Sequence, residues 1–142
     1  MITHILVGID GSEGSSRAAF FARDLASQTG ARLTMLVAIQ PPSAVPLPPF
    51  DAFSITRAHP DPEHLAAARV VMDAIEAELG DQSTADVGFG APAETLVNKA
   101  RELEVDLLVV GARGIGGAAR LLLGSVSEAV LKDAGRPVLV VP

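Results

Sequence analysis

The sequence predicts an α/β protein in which five mainly parallel strands form a doubly wound sheet with helices on both faces. Short apolar runs with a β-branched bias alternate with segments of helical periodicity, in the order β-α-β-loop-α-β-α-β-α-β. Such alternation is typical of a parallel sheet with helical crossovers. The run VDLLVVGA is almost entirely apolar, as in a strand buried on both faces. A chain of 142 residues has the length of one domain, and we interpret residues 1–142 as a single Rossmann-like domain.

The first strand and the first helix follow from the N-terminal sequence. HILVGID predicts a buried strand over residues 2–9, which ends at Asp10 and Gly11. The segment SRAAFFARDLASQTG has helical periodicity, and Gly30 predicts its C-cap. The second strand is predicted for RLTMLVAI, residues 32–39. The predicted inward face of the helix consists of Ala18, Phe21, Ala22 and Leu25.

A proline-rich segment separates the second strand from the next helix. Residues 40–61 contain six prolines and little periodicity, which predicts a long loop. The pattern does not choose between a lid over a site, a partner surface and a disordered segment. Asp61 and Pro62 are typical of a helix start, and Gly80 predicts the end of that helix. Its apolar stripe consists of Leu65, Ala68, Met72, Ile75 and Leu79.

The third and fourth strands are predicted for TADVGFG, residues 84–90, and VDLLVVGA, residues 105–112. Between them, Pro92 is expected to occupy the first position of a helix. The inward face of that helix is predicted to consist of Leu96, Val97, Ala100 and Leu103.

The last helix and strand complete the order. The run SVSE fits a capping box, with Ser125 at the N-cap and Glu128 three residues later. We therefore expect a helix over residues 126–134 that stops at Gly135. RPVLVVP predicts a final strand over residues 136–141.

Composition narrows the classes of function. The net charge of −6 argues against a protein that binds nucleic-acid backbones, and the absence of Trp and Tyr argues against base stacking. Without cysteine, disulfides and thiolate catalysis are excluded, and the three histidines have no metal-ligand spacing. The apolar runs are too short to cross a bilayer, and MITHILVGID lacks the pattern of a signal peptide. We therefore expect a cytoplasmic protein with no nucleic-acid or membrane partner.

The stretch VVGARGIGGAARLLLGSVSEAV, residues 109–130, suggests an anion site. Ligands of open α/β sheets bind beyond the carboxyl ends of the strands, where Asp10 and Gly111 are predicted to lie. If the first and fourth strands are neighbours, both residues line one crevice. Glycines let a backbone approach a ligand, and a helix N-terminus offers N–H donors to phosphate. Arg113 and Arg120 could add bidentate contacts to phosphate, although the position of Arg120 fits a solvent-facing side chain equally well.

Three motifs compete for this stretch. A Walker A loop requires a lysine before the Ser or Thr, but Gly124 precedes Ser125. The run GIGGAA matches the dinucleotide fingerprint G-x-G-x-x-A, but it lies beyond the strand end and only one strand follows it. The third pattern is G-x2-G-x9-G-[ST], formed by Gly111, Gly114, Gly124 and Ser125.

That spacing resembles the ATP-binding signature of the universal stress protein family, and the resemblance covers essentially the whole chain. The segment ILVGIDGSEGSSRAAFFARDLA is similar to the first strand and helix of the family. GFGAPAETLVNKA is similar to its Gly-x-Pro segment before the third helix. DLLVVGARGIGGAARLLLGSVSEAVLKDAGRPVLVVP is similar to its C-terminal third.

The resemblance implies a role for each site residue. Asp10 would face the ribose or a divalent metal, and main-chain groups of Ala38 would face the adenine edge. Residues 111–114 would follow the ribose and phosphates, and residues 124–127 would cradle the phosphates through backbone N–H groups and the hydroxyls of Ser125 and Ser127. From the residues alone, Asp10 fits a turn as well as a ligand. The implied nucleotide-binding residues are Asp10, Ala38, Gly111, Arg113, Gly114, Gly124, Ser125, Val126 and Ser127.

The expected function is therefore that of an ATP-binding regulator in the stress response, with Mg²⁺ or Mn²⁺ accompanying ATP. The alternatives are a homodimeric adaptor whose nucleotide is structural or missing, and a slow ATPase. We identify no catalytic residue in the sequence. Because members of the family commonly pair their last strand with that of a second copy, the resemblance also implies a homodimer through residues 136–141.

Overall fold

The computed structural model describes residues 1–40, 62–80, 83–112 and 123–142. It contains a sheet of five parallel strands in the order β3-β2-β1-β4-β5. The strands are β1 His4–Ile9, β2 Arg32–Ile39, β3 Ser83–Phe89, β4 Leu107–Gly111 and β5 Val138–Val141. The helices are α1 Glu13–Thr29, α2 Pro62–Leu79, α3 Pro92–Glu102 and α4 Ser125–Asp133. The predicted α/β fold is confirmed, and the segment 41–61 lies outside the described residues.

Two apolar layers enclose the sheet. The layer beneath α1 and α2 includes Ile5 and Val7 of β1, and the layer beneath α3 and α4 includes Leu6 of the same strand. Successive residues of β1 therefore bury side chains on opposite faces, as the apolar run predicts. None of the helices in the described part of the chain has the length and hydropathy needed to cross a membrane.

The inward face of α1 is narrower than its periodicity suggests. Ala18 and Ala22 are buried as expected, whereas Phe21 is 51% exposed and its assignment to that face was wrong. Alanines at the contact let the helix approach the sheet closely, and Phe21 lies outside that stripe. The helix ends at Gly30, whose φ of 72° supports the predicted C-cap.

Two further predictions need correction, one of a buried helix face and one of a strand boundary. In α2, Leu65 is 38% exposed although Ala68, Met72 and Leu79 are buried as predicted. The final strand begins at Val138, not at 136, because Pro137 has no N–H to donate to a neighbouring strand. The Arg136 side chain donates to the carbonyls of Ala100 and Val105, both at 2.7 Å. These two contacts join the start of β5 to the end of α3.

A polar network closes the amino-terminal edge of the sheet. His4 is 5% exposed, and its Nε2 lies 2.9 Å from Thr34 Oγ1. Burial and the nearby Arg32 guanidinium lower the pKa of His4, although a hydrogen bond with the Leu103 backbone and the charge of Asp106 oppose this effect. Asp106 Oδ2 accepts the N–H groups of Thr3 and His4, which lowers the pKa of that carboxyl. This edge therefore depends on a neutral histidine and an ionised aspartate.

Acidification below about pH 6.5 is expected to lower the free energy of unfolding through His4. Since the folded state lowers the pKa of His4, the unfolded chain binds the proton first. The variant His4→Gln, whose amide can also donate to Thr34, should lose less stability between about pH 7.5 and about pH 5. Urea unfolding of both proteins at both pH values measures the difference. Equal losses in the two proteins would contradict the role of His4, because all other titrating groups are shared.

Candidate functional site

The topology brings three of the predicted site residues to one edge of the sheet. β1 pairs with β4, with Val7 opposite Val109, so the carboxyl ends of both strands adjoin. Asp10 directly follows β1, and Gly111 ends β4. Ala38 lies near the carboxyl end of β2, the other neighbour of β1. This edge is the switch point of the sheet, where open α/β domains bind ligands.

Asp10 is held by the turn that leads into α1. Its Oδ1 accepts the N–H of Ser12 at 2.9 Å, and its own N–H donates to Ser15 Oγ at 3.3 Å. Ser12 is the N-cap of α1 and accepts the N–H of Ser15 at 3.1 Å. Gly11, between Asp10 and Ser12, has a φ of 79°, which favours glycine. Asp10 therefore does form the predicted turn, and it is exposed at the carboxyl edge of the sheet.

Gly111 lies where β4 meets the first turn of α1. A Cβ atom at Gly111 would be 2.8 Å from both the carbonyl carbon and the oxygen of Gly14, and 3.1 Å from the Ser15 nitrogen. A side chain at this position would therefore collide with backbone. The glycine is required by the packing of α1 on β4, independently of any ligand.

The start of α4 is fastened to the same end of β4. Ser127 Oγ donates to the Gly111 carbonyl at 2.7 Å, and the N–H of Gly124 donates to the Ala112 carbonyl at 2.6 Å. Ala112 in turn donates its N–H to the Val141 carbonyl at 2.7 Å. The end of β4, the start of α4 and the end of β5 are therefore joined by hydrogen bonds.

The N-terminus of α4 differs from the predicted capping box. Gly124, not Ser125, occupies the N-cap position, and glycine supplies no capping oxygen. Glu128 pairs with Lys132 at 3.1 Å instead of reaching back to the N-cap. The first amides of α4 are consequently not capped by their own N-cap residue, in contrast to α1. Ser125 is exposed at this end, Val126 is half-buried and Ser127 is buried.

Two further predicted residues, Arg113 and Gly114, lie outside the described residues, and so does Arg120. Within the described ranges, no His, Asp or Glu side chains form a group of three suited to a metal ion. The chemistry that fits this edge is anion binding by backbone N–H groups.

Sequence reasoning missed the residues that support this edge. Gly14 and Ser15 contact or adjoin the Gly111 position, but only the three-dimensional packing places them there. A signal was present for Gly14, because a glycine in the first turn of a helix is unfavourable unless another backbone approaches it. For Ser12, the N-cap preference for serine was sufficient.

A concavity lies between the carboxyl end of β3 and α3. It encloses about 380 Å³ and is lined by Phe89, Thr95 and Lys99 among others. The Lys99 Nζ contacts Asp86 Oδ2 at 3.0 Å and Glu102 Oε2 at 3.1 Å. These hydrogen bonds raise the pKa of Lys99. The Lys99 ammonium group therefore forms ion pairs with Asp86 and Glu102.

Comparison with known proteins is consistent with this geometry. The model of the universal stress protein family matches residues 1–142. The chain is 35% identical to the universal stress protein YxiE of Bacillus subtilis over 153 aligned positions, covering 99% of both chains. It superposes on UspA from Lactobacillus plantarum with a TM-score of 0.81 at 26% identity, covering 99% of this chain and 98% of the other.

A further solved structure is a universal stress protein in complex with cAMP. This chain is 29% identical to it, with a TM-score of 0.68 and coverage of 99% and 97%. The family model matches all residues, and the identity to a curated relative and the α/β fold agree with that match. The chain belongs to the universal stress protein family.

Proposed function

We propose that this protein binds ATP at the carboxyl edge of β1 and β4 and acts as a nucleotide-dependent regulator in the stress response of the cytoplasm. The observation that carries the proposal is the start of α4, where the N-cap is a glycine and the following Ser125 is exposed. A helix N-terminus has unpaired N–H groups and about half a positive charge, which favours phosphate. A related universal stress protein was solved with cAMP, an adenine nucleotide.

The proposed roles follow the position of each residue. The amides of residues 124–127 would receive the phosphates, with Ser125 adding an exposed hydroxyl. Ala38 would present main-chain groups to adenine at the end of β2. Arg113 and Gly114, outside the described residues, keep the roles implied by the glycine signature. Asp10 would contact the ribose, or Mg²⁺ or Mn²⁺ bound to the phosphates.

The metal is proposed to depend on the nucleotide. A lone carboxylate holds Mg²⁺ weakly, and Mg²⁺ is commonly bound by one or two carboxylates together with substrate phosphates. Asp10 is exposed and already accepts the Ser12 N–H through one oxygen. We therefore propose binding of the metal–ATP complex, with retention of ATP favoured over its hydrolysis.

The variant Gly124→Val would place a side chain where the phosphates are proposed to lie, and it is expected to weaken ATP binding about a hundredfold or more. The cause is the loss of several charge-assisted contacts of roughly 1.5–3 kcal/mol each. Gly124 has φ −64° and ψ 154°, a conformation that valine adopts, so the backbone tolerates the change. Calorimetric titration of ATP with Mg²⁺ into both proteins measures the loss. Wild-type affinity in the micromolar range, about −8 kcal/mol, is the expected reference.

Ser27→Val, an exposed position in α1 remote from this edge, serves as the control and should leave the affinity unchanged. Circular dichroism verifies that each variant is folded. Absence of ATP binding to the wild type would favour the adaptor alternative. Phosphate release at rates near the ~1–100 s⁻¹ of kinases would favour the enzyme alternative.

We also propose that two copies associate through residues 136–141. β3 and β5 are the outer strands of the described sheet. On β3, Asp86 accepts the N–H of Val87 at 2.8 Å and pairs with Lys99, which places charge on that edge. Charged side chains on an edge strand oppose pairing with another strand. β5 consists of valine and leucine alone, so the β5 edge is the more favourable for a symmetric interface.

A further inference from the structure

The buried hydroxyl of Ser127 has a different environment from the exposed hydroxyl of Ser125, although both follow the last glycine of the signature. Ser127 is 2% exposed, and its Oγ lies 2.7 Å from the Gly111 carbonyl oxygen. The second contact of this oxygen is the Ala112 carbonyl at 3.3 Å. A serine hydroxyl has one proton, and carbonyl oxygens only accept. While these contacts hold, the Ser127 proton is engaged by β4 and is not available to a phosphate oxygen.

The carbonyl that accepts this proton belongs to the residue against which α1 packs. Gly111 approaches Gly14 so closely that a Cβ atom would be 2.8 Å from its carbonyl group. On the other side of Gly111, Ser127 is the third residue of α4. A single residue of β4 thus contacts the first turns of both α1 and α4.

The contacts of Asp10 extend the same chain of interactions. Its carboxylate is bound to Ser12, the N-cap of α1, and the first turn of α1 rests on Gly111. The relative position of the Asp10 carboxylate and the α4 amides is therefore set through Gly111. Loss of the Ser127 hydroxyl would leave the Gly124–Ala112 hydrogen bond to hold the start of α4 on β4, and would leave the Gly111 carbonyl without that donor.

From this arrangement we infer that Ser127 is a positioning residue, which fixes the first turn of α4 on β4, and that Ser125 is the hydroxyl that contacts the ligand. The inference rests on the proposed nucleotide site and assigns different roles to its two serine hydroxyls. Ser127 acts through Gly111, which is proposed to lie along the ribose, and through the α4 amides, which are proposed to receive the phosphates. Its effect therefore extends to the whole ligand. Ser125 acts at the phosphates alone.

The test compares Ser127→Ala with Ser125→Ala, using adenosine and Mg²⁺–ATP as probes. Ser127→Ala is expected to lower the urea midpoint of the unliganded protein and to weaken adenosine and ATP by a similar factor. One hydrogen bond of ordinary net strength corresponds to about fivefold. Ser125→Ala is expected to leave the midpoint and adenosine affinity unchanged and to weaken ATP by about fivefold. Ser127→Thr, which keeps the hydroxyl, should recover most of the Ser127→Ala loss.

Three outcomes would overturn the inference. If Ser127→Ala weakens ATP but not adenosine and leaves the midpoint unchanged, Ser127 is a direct phosphate ligand. If it lowers the midpoint with both affinities intact, its role is only structural. If the wild type binds neither probe, the nucleotide proposal fails separately, and an unchanged midpoint in Ser127→Ala then shows that the hydroxyl does not fasten α4 to β4.

Discussion

Replacing Gly111 with alanine is expected to lower the free energy of unfolding by about 1–3 kcal/mol, the usual cost of overpacking. The added Cβ atom would lie 2.8 Å from the carbonyl carbon and oxygen of Gly14. Both contacts are backbone atoms in the first turn of α1, so no side chain can rotate away to relieve them. Relief requires movement of α1 relative to β4, which disturbs buried packing between them.

The matched control is Gly8→Ala in the neighbouring strand β1. A Cβ atom there would lie 2.9 Å and 3.0 Å from the two terminal carbons of Leu96, a flexible side chain that can shift. The same atom is thus added to two adjoining central strands, against backbone in one case and a side chain in the other. Urea unfolding without nucleotide compares the variants. If Gly111→Ala is as stable as Gly8→Ala, close packing does not explain this glycine.

Most of the fold could be predicted from the sequence because its signals are local. Every strand except β3 is a mainly apolar run, and Pro92 and Gly30 mark a helix start and a helix end through their own backbone preferences. Which face of a helix is buried is less local. Phe21 follows the helical period, yet the sheet accepts the alanine stripe beside it. Apolar spacing predicts a face but not how closely the partner surface approaches.

The candidate site likewise has a part that could be predicted from the sequence and a part that could not. Asp10 and Gly111 could be predicted to lie at one edge, because carboxyl ends of parallel strands meet there, and the family resemblance added Ala38. That the first and fourth strands are neighbours was a condition of the prediction, and the pairing of β1 with β4 in the structure meets it. The role of Ser127 could not, since it depends on a hydrogen bond to a residue 16 positions earlier in the chain. The signature glycine Gly111 likewise has a packing reason that spacing alone does not reveal.

The double variant Val138→Asp/Val140→Asp is expected to convert the proposed dimer completely to a monomer of 14.6 kDa. Both valines lie on β5 and are partly buried against the layer beneath α3 and α4. In the proposed interface, two copies of β5 would pair about a two-fold axis, so each substitution places two carboxylates close together. Like charges facing across paired strands are destabilising, and burial adds the cost of desolvation.

The control is Val87→Asp on β3, the other outer strand of the described sheet, where the same substitution also meets a partly buried position. This variant should remain dimeric, because the proposed interface is on β5, at the opposite edge of the described sheet. Asp86 already places a carboxylate on the β3 edge. Light scattering at micromolar concentration gives the mass of each protein, and circular dichroism verifies folding. A wild-type mass of 14.6 kDa would contradict the dimer. A dimer that survives the double substitution while Val87→Asp is monomeric would move the interface from β5 to β3.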